Sequence, residues 1–139
     1  MLDAVSAAWA EHFARALAPL READGESGAA RSRYALPTAV RLLMRYGEAV
    51  ARAHDLSRLE RVVCAGEVLN APAWEWLQKT VLDDRVPVID HMWQTETGGP
   101  VFGNPYGIGL LPIKPGSSAI PLPGIEAAVV RLDGTRCEP

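Results

Sequence analysis

The residues of this 139-residue chain best suited to chemistry are gathered in one run, Asp90-His91-Met92-Trp93-Gln94-Thr95-Glu96-Thr97-Gly98-Gly99. An acid, an aromatic ring, an amide, two hydroxyls and a second acid stand in front of a glycine pair. Such a set can exchange hydrogen bonds with a ligand and can hold a hard cation through oxygen. The run follows Val86-Pro87-Val88-Ile89, a short apolar segment that reads as a buried strand. Polar groups this dense behind a buried strand are placed to bind something. A smaller pair, Gly66-Glu67, closes a second apolar segment, Arg61-Val62-Val63-Cys64-Ala65.

The elements between these two groups decide whether they meet. Asn70 can cap a helix and Pro72 suits its first turn. Trp74, Leu77, Gln78 and Val81 then fall on one side, and Asp83-Asp84 ends the helix. A strand, a helix and a strand within about 30 residues predict a right-handed βαβ unit with parallel strands. Both polar groups then follow the carboxyl ends of neighbouring strands, the edge at which open α/β sheets bind ligands. The plainer alternative is a pair of well-capped loops.

Upstream, residues 4–20 are alanine-rich, with Trp9, Phe13, Leu17 and Leu20 on one stripe, and predict a helix limited by Pro19. Residues 21–33 carry Gly25, Ser27 and Gly28 among charges and read as an exposed loop. A second helix is expected from Pro37, burying Val40, Leu43, Met44 and Val50 or Ala51, with Gly47 weakening it. After Gly99 the prolines at 100, 105, 112, 115, 121 and 123 forbid long regular elements. Gly124 to Leu132 reads as a strand, Asp133-Gly134 as a tight turn, and the hairpin they begin is cut short at Pro139.

Composition narrows the classes. The chain is 48% hydrophobic and 22% charged with a formal charge of −3, so it can build a core, and its arginines form no basic block for nucleic acid. Cys64 and Cys137 are too few for a disulfide scaffold, and Cys64 reads as a buried thiol. No apolar stretch reaches the roughly 18 residues of a membrane span, and Met1-Leu2-Asp3-Ala4 does not open a signal peptide. A cytoplasmic setting, with no nucleic-acid or membrane partner, is the expectation.

Trp93-Gln94-Thr95-Glu96-Thr97-Gly98-Gly99 closely resembles the adenylate-binding motif of AMP-forming acyl-CoA synthetases, in particular the short-chain, acetyl-CoA synthetase-like branch. Ala65-Gly66-Glu67-Val68-Leu69-Asn70 resembles that family's adenine-contacting segment. Tyr34 to Ala39 and Leu42 to Gly47 resemble the helix before it, and Lys114 to Ser117 and Pro121 to Glu126 the segment after the motif. The resemblance implies the fold class: an α/β chain, part of the large N-terminal domain of an adenylate-forming enzyme. The expected division is a poorly matched helical segment and loop over 1–33 and a partial AMP-binding domain over 34–139.

The implied reaction joins a small carboxylic acid to ATP, giving an acyl-adenylate and pyrophosphate, and then transfers the acyl group to the CoA thiol. By resemblance Thr95 bonds the α-phosphate and Glu96 holds Mg²⁺, the two residues of the catalytic set. Gly66, Glu67, Asp90, Met92 and Gln94 line the nucleotide, with Asp90 accepting from the adenine amino group. Ala65 and Trp93 form the acyl pocket, whose large ring excludes long chains. Residue by residue, the structural alternatives are a local turn for Thr95, a solvated or capping role for Glu96, a strand-end cap for Asp90, a strand-ending turn for Gly66 and core packing for Trp93.

Three positions depart from the family pattern. Met92 stands where an aromatic is common, Val68 where Pro is common, and Ala65 where acetate-specific members carry Val, which widens the expected pocket toward propionate or a larger acid. Lys79 and Lys114 are the only lysines, and neither lies in a glycine-rich phosphate loop. A partial chain is therefore expected, one that needs the remainder of the synthetase and shows no pyrophosphate exchange alone. The competing readings are a non-catalytic AMP or acyl-adenylate binding module and part of a medium-chain or aryl acid ligase.

Overall fold

The computed structural model describes residues 32–137. The helix and loop expected over 4–33 lie, but for the last residues, outside that range. Three parallel strands form the central sheet in the order β1 (Ser32–Ala35), β2 (Arg61–Cys64), β3 (Val88–Asp90). The βαβ unit is present, with helix α3 (Ala71–Glu75) running on into a wider π turn over Trp76–Val81. β3 begins two residues later than the sequence indicates, after Pro87.

Asn70 does stand at the start of α3, but its side chain makes no capping bond. Pro72 and the packing of Ala73 and Leu77, both at most 1% exposed, carry the start of the helix instead. The helix from Pro37 forms as α1 (Pro37–Tyr46) and then breaks. Gly47 takes φ +84°, and α2 (Glu48–Arg52) restarts the chain in a new direction, so Ala51 reaches the core from a separate helix.

Val62, Cys64 and Val88 face these helices and pack with Val40, Leu43, Leu77 and Val81 in one apolar cluster. At the outer edge of β3 the Val88 backbone is paired by side chains. Trp74 Nε1 donates to Val88 O at 2.8 Å, Val88 N donates to Gln78 Oε1 at 2.8 Å, and Gln78 Nε2 donates to Val86 O at 2.9 Å. A buried amide thus does the work of a further strand.

Beyond Asp90 the chain turns into a second, antiparallel sheet: β4 (Met92–Gln94), β5 (Gly99–Gly103) and β6 (Ile120–Pro121). Pro100 sits within β5 opposite Trp93, where a register shift between Met92 and Trp93 absorbs the missing N–H. The strand expected over Gly124 to Leu132 does not form. Only the hairpin tip exists, a single Val130–Arg136 bridge around Gly134 at φ +84°. Val129, Val130 and Leu132 are exposed, with no neighbouring strand among the described residues to hold them extended.

Candidate functional site

Two turns lie beyond the carboxyl ends of β2 and β3, the first directly after β2 and the second after β4, the short strand that follows β3. The first is Gly66 to Leu69. Gly66 takes φ +100°, and a Cβ there would stand 3.4 Å from Leu36 Cδ2, so glycine suits both the backbone and the space. The turn is held at each end. Leu69 N donates to Asp90 Oδ2 at 3.3 Å, and Glu67 Oε1 accepts from Thr38 N at 2.9 Å. Glu67 also takes the Thr38 hydroxyl and the Arg41 guanidinium. The Thr38 hydroxyl first, and then Arg41, hold its carboxyl below the usual glutamate value.

The second turn is a single 3₁₀ turn over Thr95–Thr97, ended by Gly98 at φ +68°. Thr97 builds it: Oγ1 accepts from Gln94 N at 3.1 Å and lies 2.8 Å from both Gln94 O and Gly99 O. The local hydroxyl turn considered for Thr95 is therefore made by Thr97. Thr95 and Glu96 are exposed, and neither side chain bonds another described residue.

Asp90 and His91 lie behind these turns. Asp90 is 5% exposed and its Oδ1 has no partner among the described residues. Burial pushes its carboxyl above the usual range, against the pull of the Leu69 amide. Burial lowers the imidazole of His91, whose Nδ1 is also unpartnered. His91 N bonds Cys64 O at 2.7 Å, and a Cβ on Gly103 would come 2.6 Å from its ring, so the two sheets meet closely there. The Cys64 thiol beneath is pushed up to about 12 by burial and then by the Asp90 charge, and stays protonated.

In front of the turns lie two adjoining clefts that share Gly66, Trp93 and Gln94. The larger, about 520 Å³, adds Ala65 and Thr95 on one side and Tyr34, Ala35 and Leu36 on the other. The smaller, about 230 Å³, adds Glu67, Val68, His91, Met92 and Ser118. Seven of the nine residues expected at the site line one or both: Ala65, Gly66, Glu67, Met92, Trp93, Gln94 and Thr95. Asp90 and Glu96 do not. Asp90 lies in the wall behind, and Glu96 lies on the open face of the 3₁₀ turn. Trp93 is 44% exposed, so packing into the core is not its role among the described residues.

The sequence reading missed β1 and the three residues at its end that face Trp93. Tyr34 in a short segment before Pro37 is the one local sign of that strand. It also missed Ser118. No group of three or more His, Cys, Asp or Glu side chains among the described residues could hold a metal unaided. A lone exposed carboxylate such as Glu96 nevertheless fits Mg²⁺, which keeps most of its waters and takes further oxygens from bound phosphates. Among the described residues no helix is long and apolar enough to cross a membrane.

A family model described as AMP-binding enzyme matches residues 24–139. The chain is 42% identical over 106 residues to the acetyl-coenzyme A synthetase of Pyrobaculum aerophilum, covering 76% of this chain and 16% of that protein. To the acetyl-coenzyme A synthetase of Chlorobaculum tepidum it is 45% identical over 104 residues, covering 75% and 16%. The chain thus spans about 16% of the length of these curated relatives. Among solved structures it resembles the anthranilate CoA ligase AuaEII in complex with anthranoyl-AMP, with a TM-score of 0.68 and 26% identity over 93% of this chain and 22% of that one. It also resembles a Brucella canis acyl-CoA synthetase, with a TM-score of 0.61 and 34% identity over 76% and 18%.

Proposed function

This chain belongs to the AMP-binding enzyme family, and from that premise we propose that it forms part of the nucleotide site of an AMP-forming, short-chain carboxylate–CoA ligase. The observation that carries the proposal is the pair of clefts divided by Trp93. An acyl-adenylate has two unlike ends joined at a phosphate. The smaller cleft, with Gly66, Val68 and Met92, takes the flat base, and the Gly66 backbone can approach it because no Cβ intervenes. The larger cleft takes the phosphate at Thr95 and the acyl group between Ala65 and Trp93.

Asp90 has the chemistry to receive the adenine amino group. A buried carboxylate oxygen without a partner is costly, and a donor from the ligand would satisfy it. The Thr95 hydroxyl is free to donate to a phosphoryl oxygen because Thr97 already holds the turn. Glu96 would hold Mg²⁺, which neutralises phosphoryl charge when bound with the nucleotide. CoA enters as co-substrate of the whole enzyme, which the reading places in the cytoplasm.

The test is calorimetric titration of the chain with AMP and with non-hydrolysable acyl-sulfamoyl adenosines of increasing acyl length. Acetyl and propionyl analogues should bind more tightly than AMP, and an octanoyl chain should add nothing. Absence of any AMP binding overturns the proposal. A second reading, an aryl acid ligase, draws on the small Ala65 and on the likeness to the anthranilate ligase. An anthranoyl analogue that outcompetes the propionyl one would favour it.

A further inference from the structure

Helix α1 begins without a local cap. Leu36 stands at its N-cap and has no side-chain acceptor to offer, although the first amides of a helix need one. The acceptor arrives from 29 residues along the chain, where Glu67 Oε1 takes Thr38 N at 2.9 Å. The Thr38 hydroxyl closes on the same oxygen, and the Arg41 guanidinium on the other. Arg41 Nη2 also donates to Thr38 Oγ1 at 3.0 Å, so the three side chains form one closed set. One carboxylate therefore caps α1 and fixes the turn after β2, whose far end is tied to Asp90 through Leu69.

We infer that Thr38 and Arg41 are positioning residues for the nucleotide: acting through Glu67, they hold Gly66 to Val68 at the wall of the smaller cleft. The inference rests on the proposed reading of that cleft as the adenine end of the site. The Glu67 carboxylate then serves α1, while its backbone and those of its neighbours face the base. Neither Thr38 nor Arg41 lines either cleft, so a change at either reaches the ligand indirectly. The Arg41 and Glu67 side chains are 37% and 42% exposed. An ion pair that open to solvent adds little to global stability. Its effect is on where the turn sits.

The test compares Thr38→Val, Arg41→Ala, Arg41→Lys, Glu67→Ala and the double variant Arg41→Ala/Glu67→Ala with the unaltered chain. AMP affinity, amide hydrogen exchange over 66–69 and the melting temperature are measured for each. Thr38→Val, Arg41→Ala and Glu67→Ala should each weaken AMP by about tenfold, the scale of one lost charge-assisted hydrogen bond. Exchange over the turn should quicken, and the melting temperature should fall by no more than the few degrees of a lost helix cap. Arg41→Lys should recover part of the affinity. The double variant should be no worse than Glu67→Ala, since all act through one carboxylate.

Undiminished affinity in Thr38→Val and Arg41→Ala overturns the inference alone, and a loss confined to Glu67→Ala would mean that the carboxylate touches the nucleotide directly. A loss that tracks a large fall in melting temperature, with no recovery in Arg41→Lys, is a folding defect and also overturns it. Failure of the unaltered chain to bind AMP removes the proposed function, and this inference with it.

Discussion

At the amino end of β3 the polar atoms around Val86 and Val88 are taken up by Gln78 and Trp74, whereas beyond its carboxyl end Asp90, His91, Thr95 and Glu96 keep polar atoms without a partner among the described residues. The strand is three residues long, so the two ends lie close together. The difference is in how many donors and acceptors are already matched. A saturated end stabilises the fold and has nothing left to offer a ligand. An unsaturated end carries a free-energy cost that binding can recover.

The sharpest way to break this contrast is at Gln78, which is 6% exposed. In Gln78→Leu the volume is roughly kept, but Val88 N and Val86 O, both in buried residues, lose their partners. Two unpaired buried groups should cost about 2–4 kcal/mol in denaturant unfolding. A loss below about 1 kcal/mol would mean that water reaches this edge, and the amino end would not be the closed one.

Asp90→Asn tests the open end and should act in the opposite sense on stability. The folded pKa of Asp90 is raised, so the carboxyl stabilises the fold fully only below its unfolded value of 3.8, and that contribution is lost as pH rises through the folded value. At neutral pH the ionised group is therefore a burden on the fold. Asn keeps an acceptor for Leu69 N and removes the charge, so the variant should melt higher at pH 7 and lose the pH dependence above 3.8. It should also weaken AMP by about tenfold, the scale of a hydrogen bond to a charged acceptor. A variant that melts lower, or binds AMP unchanged, would remove Asp90 from the site.

These contrasts follow how far each interaction reaches along the chain. The βαβ unit was legible because its signs are local: the valine-bearing run before Gly66, Pro72 at the helix start, and the run ending at Ile89. β1 was not, since Ser32 to Ala35 is extended through its register with Arg61 to Cys64, about thirty residues on. Gly124 to Leu132 failed in the reverse way, an apolar run that among the described residues pairs only at the single Val130–Arg136 bridge. At the site, seven residues read from the motif and its upstream partner do meet at the clefts. The true partners of the Glu67 carboxylate lay beyond reach, because Thr38 and Arg41 announce only an exposed helix face.

Thr95 and Thr97 reduce the contrast to two hydroxyls one residue apart in the same turn. Thr97 accepts from Gln94 N and has Gln94 O and Gly99 O both at 2.8 Å, so its single proton is always placed within the protein. Thr95 has no such claim on it. Thr97→Val should loosen the turn and weaken adenosine and AMP alike, because Gln94 and Trp93 ride on it. Thr95→Val should leave adenosine binding intact and reduce only the preference for AMP over adenosine, by about tenfold for one hydrogen bond to an anionic phosphate. Paired titrations with the two ligands separate these outcomes. If both variants lower the preference equally, Thr97 also faces the phosphate, and saturation within the protein is not what divides binding residues from structural ones here.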